Sequence, residues 1–227
     1  MLFLVLGRGK TGSLVAEVAH ERGHSVRVVG EEENRNASAL TPVFLATFDA
    51  VIDFTTPEAV VHNLRACLAN GARVVVGTTG WYERLDDMRA LAQRKGAGFL
   101  YGTNFSVGVQ ALLRLTRELA TALPHYHFSI AETHHADKKD APSGTALSIR
   151  RTLEAANPSL KVEITSQREG DAPGIHVIEA RSKNDKIELK HEAFSRRGFA
   201  EGAIRAAEWI AGKSGVWEFS EIASELG

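Results

Sequence analysis

Only one cysteine, Cys67, occurs among the 227 residues, which excludes an internal disulfide framework and suits a reducing compartment. In "PEAVVHNLRACLANG" it falls at helical spacing with Val60 and Leu64, the position of a core thiol rather than a reactive one. Charge of one sign is also lacking: 27 Lys and Arg stand against 28 Asp and Glu, a formal net charge of -1. Without a basic excess there is no electrostatic reason to expect nucleic acid or an anionic membrane as partner. Long hydrophobic runs are missing too. No window approaches the roughly 18 apolar residues of a membrane helix. The apolar opening "MLFLVLG" has no basic flank and ends at Gly7, short of a secretory signal. These absences lead to the expectation of a soluble, cytoplasmic protein. Repeats, low-complexity stretches and long linkers are absent, and 44% hydrophobic with 24% charged residues is ordinary globular composition.

What is present begins with an alternation. "LFLVLG" (2–7), "SVRVVG" (25–30), "AVIDFT" (50–55), "ARVVVGTT" (72–79) and "GFLYGTN" (98–104) read as short buried strands. Helical periodicity runs through "SLVAEVAHERG" (13–23), 57–69 and 83–95; Pro57 opens one of these helices, and Gly71 and Gly96 close two of them. Near-continuous Val/Ile/Leu strands separated by helices predict a parallel sheet covered on both faces. After Asn104 the pattern changes. Helices at 107–123 and 144–156 flank a strand at 126–135, three β-rich runs follow, and a last amphipathic helix carries Phe199, Ala203, Ile204, Ala207 and Ile210 on one side. The fold expected is a Rossmann-type α/β domain plus an α+β domain with an open mixed sheet, the boundary near 104.

"GRGKTG" (7–12) is G-x-G-x-x-G between a strand and a helix, the context in which that motif binds dinucleotides. Gly7 permits the tight turn, Gly9 lets the backbone approach a pyrophosphate, and Gly12 lets the helix pack closely. Arg8, Lys10 and Thr11 complete the loop, and the phosphates would sit on the helix amides. Glu31 follows the second strand, 19 residues after Gly12, and is placed to accept from the ribose hydroxyls. No Arg follows it, only Glu32 and Glu33. A 2′-phosphate would meet carboxylates unless Arg8 or Lys10 reached across, so NADH is favoured over NADPH. Gly77, Thr78 and Thr79, and Gly102, Thr103, Asn104 and Phe105, lie at strand C-termini, where ligands bind open parallel sheets; they are candidate contacts to the nicotinamide side.

The densest chemistry is "ETHHADKKDAPSGTA" (132–146). Adjacent His134 and His135 on a strand would point to opposite faces, so no metal is expected there. Pro-Ser-Gly-Thr lacks the elbow of a serine hydrolase. The segment reads as a helix start capped by Asp140 or Ser143, with the Gly144 and Thr145 amides forming an anion site. Lys138 adds a compact positive charge, and His134 and His135 offer proton donors. A carboxylate clamp, a proton donor and a hydride source describe a reductase of an acidic unsaturated substrate.

Together with "DFTTPEA", "NFSVGV" and "HEAFSRRGFAEGAIRAAEWI", in this order, these segments resemble the 4-hydroxy-tetrahydrodipicolinate reductase (dihydrodipicolinate reductase) family over nearly the whole chain. The resemblance implies reduction of that cyclic dicarboxylate by NADH or NADPH in diaminopimelate and lysine synthesis. It implies a dinucleotide-binding domain at 1–104 to which 198–227 returns, and a substrate and oligomerisation domain at 105–197 that builds a homotetramer. His134 would be the proton donor with Lys138 its partner. His135, Lys138 and the Ser143, Gly144, Thr145 turn would hold the substrate. Glu32 stands where many members have a basic residue. The competing readings are another two-domain dehydrogenase of an amino acid or semialdehyde, and a non-catalytic NADH-binding regulator.

Overall fold

The computed structural model describes residues 1–136, 138–170 and 172–226; Asp137 of the charged segment lies outside them. In chain order the elements are β1 (Leu2–Leu6), α1 (Lys10–Glu21), β2 (Ser25–Val29), α2 (Pro42–Leu45), β3 (Ala50–Asp53), α3 (Pro57–Ala69), β4 (Arg73–Val76), α4 (Leu85–Lys95) and β5 (Gly98–Tyr101). Then follow α5 (Val107–Ala122), β6 (His127–His134), α6 (Gly144–Ala156), β7 (Glu163–Arg168), β8 (Ile175–Arg181), β9 (Lys186–Glu192), α7 (Arg197–Ile210), β10 (Gly215–Glu218) and α8 (Phe219–Ile222). Two compact units result: Met1–Val107 with Arg197–Gly227, and Gly108–Arg196.

The first unit is a six-stranded, all-parallel sheet in the order β10-β5-β4-β3-β1-β2. Alternation along each strand divides the core. Phe3, Val5, Ile52, Val75 and Leu100 face Val15, Val18 and Ala19 of α1 and Ala203, Ile204, Ala207 and Ile210 of α7. Leu4, Leu6, Val51, Val74, Val76 and Phe99 face Val60, Leu64 and Leu68 of α3 and Met88 and Ala92 of α4. Each of the larger of these side chains (Val, Leu, Ile, Phe and Met), taken wholly out of water, contributes about 1.5–3 kcal/mol. Cys67 lies fully buried in the second of these layers, where burial pushes its thiol pKa up.

Helices α2 and α8 carried no signal in the sequence, the first unit runs to Val107 rather than 104 and resumes at Arg197, and two further features differ from the sequence expectation. Helix α1 begins at Lys10, three residues early, because the glycine loop closes on itself and its last residues are already helical. Strand β10 was not expected; "GVWE" is too short to signal, and it becomes a strand only because β5 offers an open parallel edge. Helix α7 sits close to the loop before α5. A Cβ at Gly202 would stand 1.7 Å from the Phe105 carbonyl oxygen, so only glycine permits that approach.

The second unit is a mixed sheet in the order β7-β6-β8-β9, with β6 parallel to β7 and the other pairs antiparallel. Phe128 and Ile130 of β6 and Ile178 and Ala180 of β8 meet Leu112 and Ala120 of α5 and Ile149 and Leu153 of α6. On this same face the strand changes character. Two residues beyond Ile130 comes Glu132, then His134, both buried. A strand that starts as hydrophobic core thus ends as a polar cluster.

Candidate active site

In the first unit the glycine loop is shaped by what it cannot accommodate. Gly7 has φ +104, and a Cβ there would stand 2.2 Å from the Phe54 carbonyl oxygen. A Cβ at Gly12 would stand 2.2 Å from the carbonyl oxygen of Gly7, so what Gly12 allows is contact within the loop itself. At Gly9 a Cβ would meet nothing within 4 Å. Gly9 is the N-cap of α1, no side chain caps it, and the first turn carries no acidic residue. An open backbone, a helix N-terminus and Lys10 at its first position fit a pyrophosphate.

The end of β2 holds a group that spacing did not reveal. Glu33 accepts from Arg8 at 2.5 Å and from Arg27 at 2.7 Å. Arg27 precedes Glu31 in the chain, so a search for a basic residue after the acid overlooks it. Glu31 itself is exposed.

Thr78 and Phe105 are turned inward. The Thr78 hydroxyl donates to Asp53 at 2.8 Å and accepts from the Thr55 amide at 2.8 Å, while its carbonyl accepts from Trp81 Nε1 at 2.7 Å. What remains to Thr78 for a ligand is its amide. The Phe105 ring is buried against Phe219 with centroids 4.5 Å apart, so a cofactor contact at this position comes from the backbone. Gly77 lies under the Phe54 ring, where a Cβ would stand 2.1 Å from Cε1. Asp53 is wholly buried, and burial pushes its carboxyl up although Thr55, Asn63 and Thr78 all donate to it. Thr79, Gly102, Thr103 and Asn104 lie on the neighbouring strand-end turns, and the Asn104 side chain accepts from the Ser106 amide at 2.9 Å.

In the second unit the helix cap is settled. Ser143 caps α6, its Oγ accepting from the Ala146 amide at 3.2 Å. Asp140 instead accepts from Lys138 Nζ at 2.8 and 2.9 Å. Gly144 is exposed, and a Cβ there would meet nothing within 4 Å. His134 is the last residue of β6 and is buried; His135, just past the strand, is half-buried. The opposite facing expected of adjacent residues therefore separates one deep histidine from one nearer the surface.

Around His134 lies a cluster drawn from four stretches of chain. Glu132 accepts from the Ser143 amide at 3.0 and 3.2 Å, from Ser166 Oγ at 2.8 Å and from Arg168 at 3.3 Å. His134 Nδ1 lies 3.5 Å from its Oε2, and His176 Nε2 lies 3.7 Å from the same oxygen. His176 Nε2 also meets Ser143 Oγ at 3.2 Å. Arg168 donates to the carbonyls of Lys138 at 3.2 Å and Asp140 at 2.5 Å, and so shapes the loop that carries the lysine.

Burial pushes Glu132 up, but the Ser143 and Ser166 donors outweigh it and hold the carboxyl below its ordinary range. Burial lowers His134; Glu132 works against that, and Lys138 and Arg168 add to it. His176 is pushed down to about 4, chiefly by burial. Glu132, His134 and His176 bring ligand-type atoms within 4.8 Å of one another. Sequence spacing addressed only His134 and His135 as a metal pair, because this set needs β8 beside β6. Oε1 of the carboxylate already takes the Ser143 amide, the Ser166 hydroxyl and the Arg168 guanidinium, and Oε2 takes the Ser143 amide. Those donors and the Arg168 guanidinium satisfy the carboxylate with protein groups alone.

The sequence matches the family description "dihydrodipicolinate reductase, N-terminus" over residues 1–105 and "dihydrodipicolinate reductase, C-terminus" over 108–222. The chain belongs to the dihydrodipicolinate reductase family. It is 33% identical to a 4-hydroxy-tetrahydrodipicolinate reductase of Christiangramia forsetii, over 100% of this chain and 99% of that protein. It is 39% identical to one from Natronomonas pharaonis, over 92% of this chain and 94% of the other. In fold it is similar to a dipicolinate-bound dihydrodipicolinate reductase from Paenisporosarcina sp. TG-14, with a TM-score of 0.83 at 22% identity, covering 98% and 99% of the two chains.

Within this dihydrodipicolinate reductase chain, sequence reasoning missed Glu132, Ser166, Arg168, His176 and Gly174, where a Cβ would stand 3.2 Å from His134 Nε2. Glu132 did carry a signal. An acid two residues before a histidine on a strand shares its face, and alternation could have found it. The other four join the site only through sheet pairing, and no local pattern marks them.

Proposed function

We propose that the chain reduces 4-hydroxy-tetrahydrodipicolinate to tetrahydrodipicolinate on the diaminopimelate route to lysine, as a cytoplasmic enzyme that prefers NADH. The observation that carries this reading is the cluster at the end of β6: a buried histidine beside a loop lysine and an open helix N-terminus. Such a set suits a dicarboxylate with a ring to be protonated. The Paenisporosarcina relative, solved with dipicolinate bound, points to the same substrate class.

When bound, the nicotinamide cofactor supplies the hydride. The backbone amides of Gly7 to Gly12 would hold its pyrophosphate, with Arg8 and Lys10 beside them, and Glu31 would accept from the ribose. The amides of Gly77 to Thr79 and Gly102 to Phe105 border the nicotinamide side. On the substrate, Lys138 exchanges Asp140 for a carboxylate, and His135, Ser143, Gly144 and Thr145 hold the rest of the dianion. Loss of the 4-hydroxyl with a neighbouring C3 hydrogen as water would first leave the conjugated dihydro ring. Hydride addition to that ring would develop negative charge, which His134 would quench with its proton, so that hydride and proton together saturate one double bond. General acid catalysis of this kind is worth roughly 10²–10⁴-fold.

We further assign a homotetramer built through the second unit's sheet. Its helices cover one face only, and the other carries Ala131, Ile175 and Val177. Mass measurement by light scattering tests it, with a monomeric mass as the contrary result.

The primary test is NADH and NADPH oxidation at 340 nm, with substrate made in situ from pyruvate and aspartate semialdehyde by a condensing synthase. Substrate-dependent oxidation, faster with NADH, is expected. Binding of NADH without turnover would leave the chain a sensor. His134→Gln should lower kcat by about 10²-fold or more while cofactor affinity stays unchanged. Lys138→Ala should raise KM for the substrate; unaltered KM would remove the lysine from the carboxylate clamp.

A further inference from the structure

Proton donation by a histidine requires that the ring be held in one orientation and that its protonated form be stabilised near the working pH. His134 meets neither condition alone. Its Nδ1 is buried without a hydrogen-bond partner among the described residues, and burial disfavours the imidazolium. The groups that face the ring come from every neighbouring stretch of the second unit. They are Glu132 on its own strand, Lys138 and Asp140 on the following loop, Arg168 on β7 and His176 on β8. Lys138 and Arg168 oppose protonation, Asp140 favours it less than Glu132 does and from an exposed position shared with Lys138, and His176 is neutral near pH 7. That leaves Glu132 as the buried anion beside the ring.

We infer that Glu132 is a positioning residue for His134, holding the imidazole with Nδ1–H toward its carboxylate so that Nε2 is the nitrogen that carries and releases the proton. The geometry divides the ring in this way. Nδ1 lies 3.5 Å from Glu132 Oε2, an ion-pair distance on the buried side. The opposite edge abuts Gly174, where a Cβ would stand 3.2 Å from Nε2 and 3.3 Å from Cδ2, so that the side chain glycine lacks would crowd this edge. Glu132 is itself immobilised by donors from outside its own strand, the Ser143 amide at the start of α6 and Ser166 and Arg168 on β7. A carboxylate so bound stays ionised and cannot swing away. It acts through His134 rather than on substrate.

This inference rests on His134 being the proton donor, and the test separates the two. The kcat–pH profile would be measured for the wild type, Glu132→Gln and His134→Gln. Loss of the carboxylate removes the stabilising charge, so the alkaline limb of Glu132→Gln should move down by about one unit or more. Its kcat at neutral pH should fall about 10-fold or more, with KM altered far less. A purely structural role would scale activity down at every pH and leave the limb in place, and that result overturns the inference. If His134→Gln keeps wild-type turnover, the proton-donor reading itself fails instead. A second measurement needs no variant. The ¹⁵N shifts of the wild-type ring at high pH should show Nδ1 protonated and Nε2 bare. The reverse tautomer would overturn the assignment even if Glu132→Gln failed to fold.

Discussion

At the scale of single residues, the polar end of β6 depends on what is absent from its neighbour. Gly174 has φ +144, a conformation side-chain-bearing residues rarely adopt, and its missing Cβ leaves the His134 Nε2 edge uncrowded. Gly174→Ala therefore combines two penalties. Backbone strain of this kind costs roughly 1–3 kcal/mol, and the methyl group presses on the ring. The expected outcome is a modest fall in melting temperature together with a drop in kcat on the order of 10–100-fold, since small misplacements at a reacting group are costly. Full activity with lowered thermal stability would mean that the glycine serves the backbone alone. Lys138 shows the same economy. Its partner is the exposed Asp140, and under the proposed function a substrate carboxylate would replace that contact at little cost.

Among elements, the junction of the glycine loop with β2 is where the proposed preference for NADH is tested. Arg8 from the loop and Arg27 from β2 both end on Glu33, and all three side chains are substantially exposed. Exposed pairs of this kind contribute about 0–1 kcal/mol to stability, so their value here is to keep two guanidinium groups occupied. Glu33→Ala should leave folding nearly unchanged and release both for a 2′-phosphate. The rate ratio of NADPH to NADH is expected to rise several-fold, read from initial rates at 340 nm with each cofactor. An unchanged ratio would place the discrimination at Glu31 and Glu32 instead.

For the whole molecule, two buried histidines and the half-buried His191 bear on the acid side of stability. His176 has a folded pKa of about 4 against an ordinary 6.5, while His134 and His191 are lowered in the same direction, burial being the leading cause in all three. The unfolded chain therefore binds these protons first. Their contribution is fully present above about pH 6.5 and is lost as pH falls through that value toward 4. For His176 alone, linkage puts the effect on the order of 3 kcal/mol at its upper limit. Urea unfolding followed from pH 7 to pH 4 should show a falling midpoint, with the slope reduced in His176→Gln. A flat profile would show that these histidines titrate alike in both states.

The sequence alone carried the local grammar: strands as apolar runs, helices by their period, and the glycine loop by its place between β1 and α1. It also offered His134, His135 and Lys138 as candidates and left the α6 cap between Asp140 and Ser143, because all lie within one continuous segment whose residue types imply their chemistry; the fold makes Ser143 the cap. Helix α1 began three residues before its apolar period suggested, since loop closure rather than side-chain pattern starts it. Tertiary structure alone decided the rest. Strand β10 exists because β5 has an edge to fill, and Arg27 and Arg8 converge on Glu33 only when β1 and β2 lie side by side. Thr78 and Phe105 looked available to a ligand from their place at strand ends, yet packing turned one hydroxyl and one ring inward. Glu132, Arg168, Gly174 and His176 meet around His134 because β6 pairs with β7 on one side and β8 on the other. Sheet pairing joins residues tens of positions apart, and no local pattern encodes which strands become neighbours.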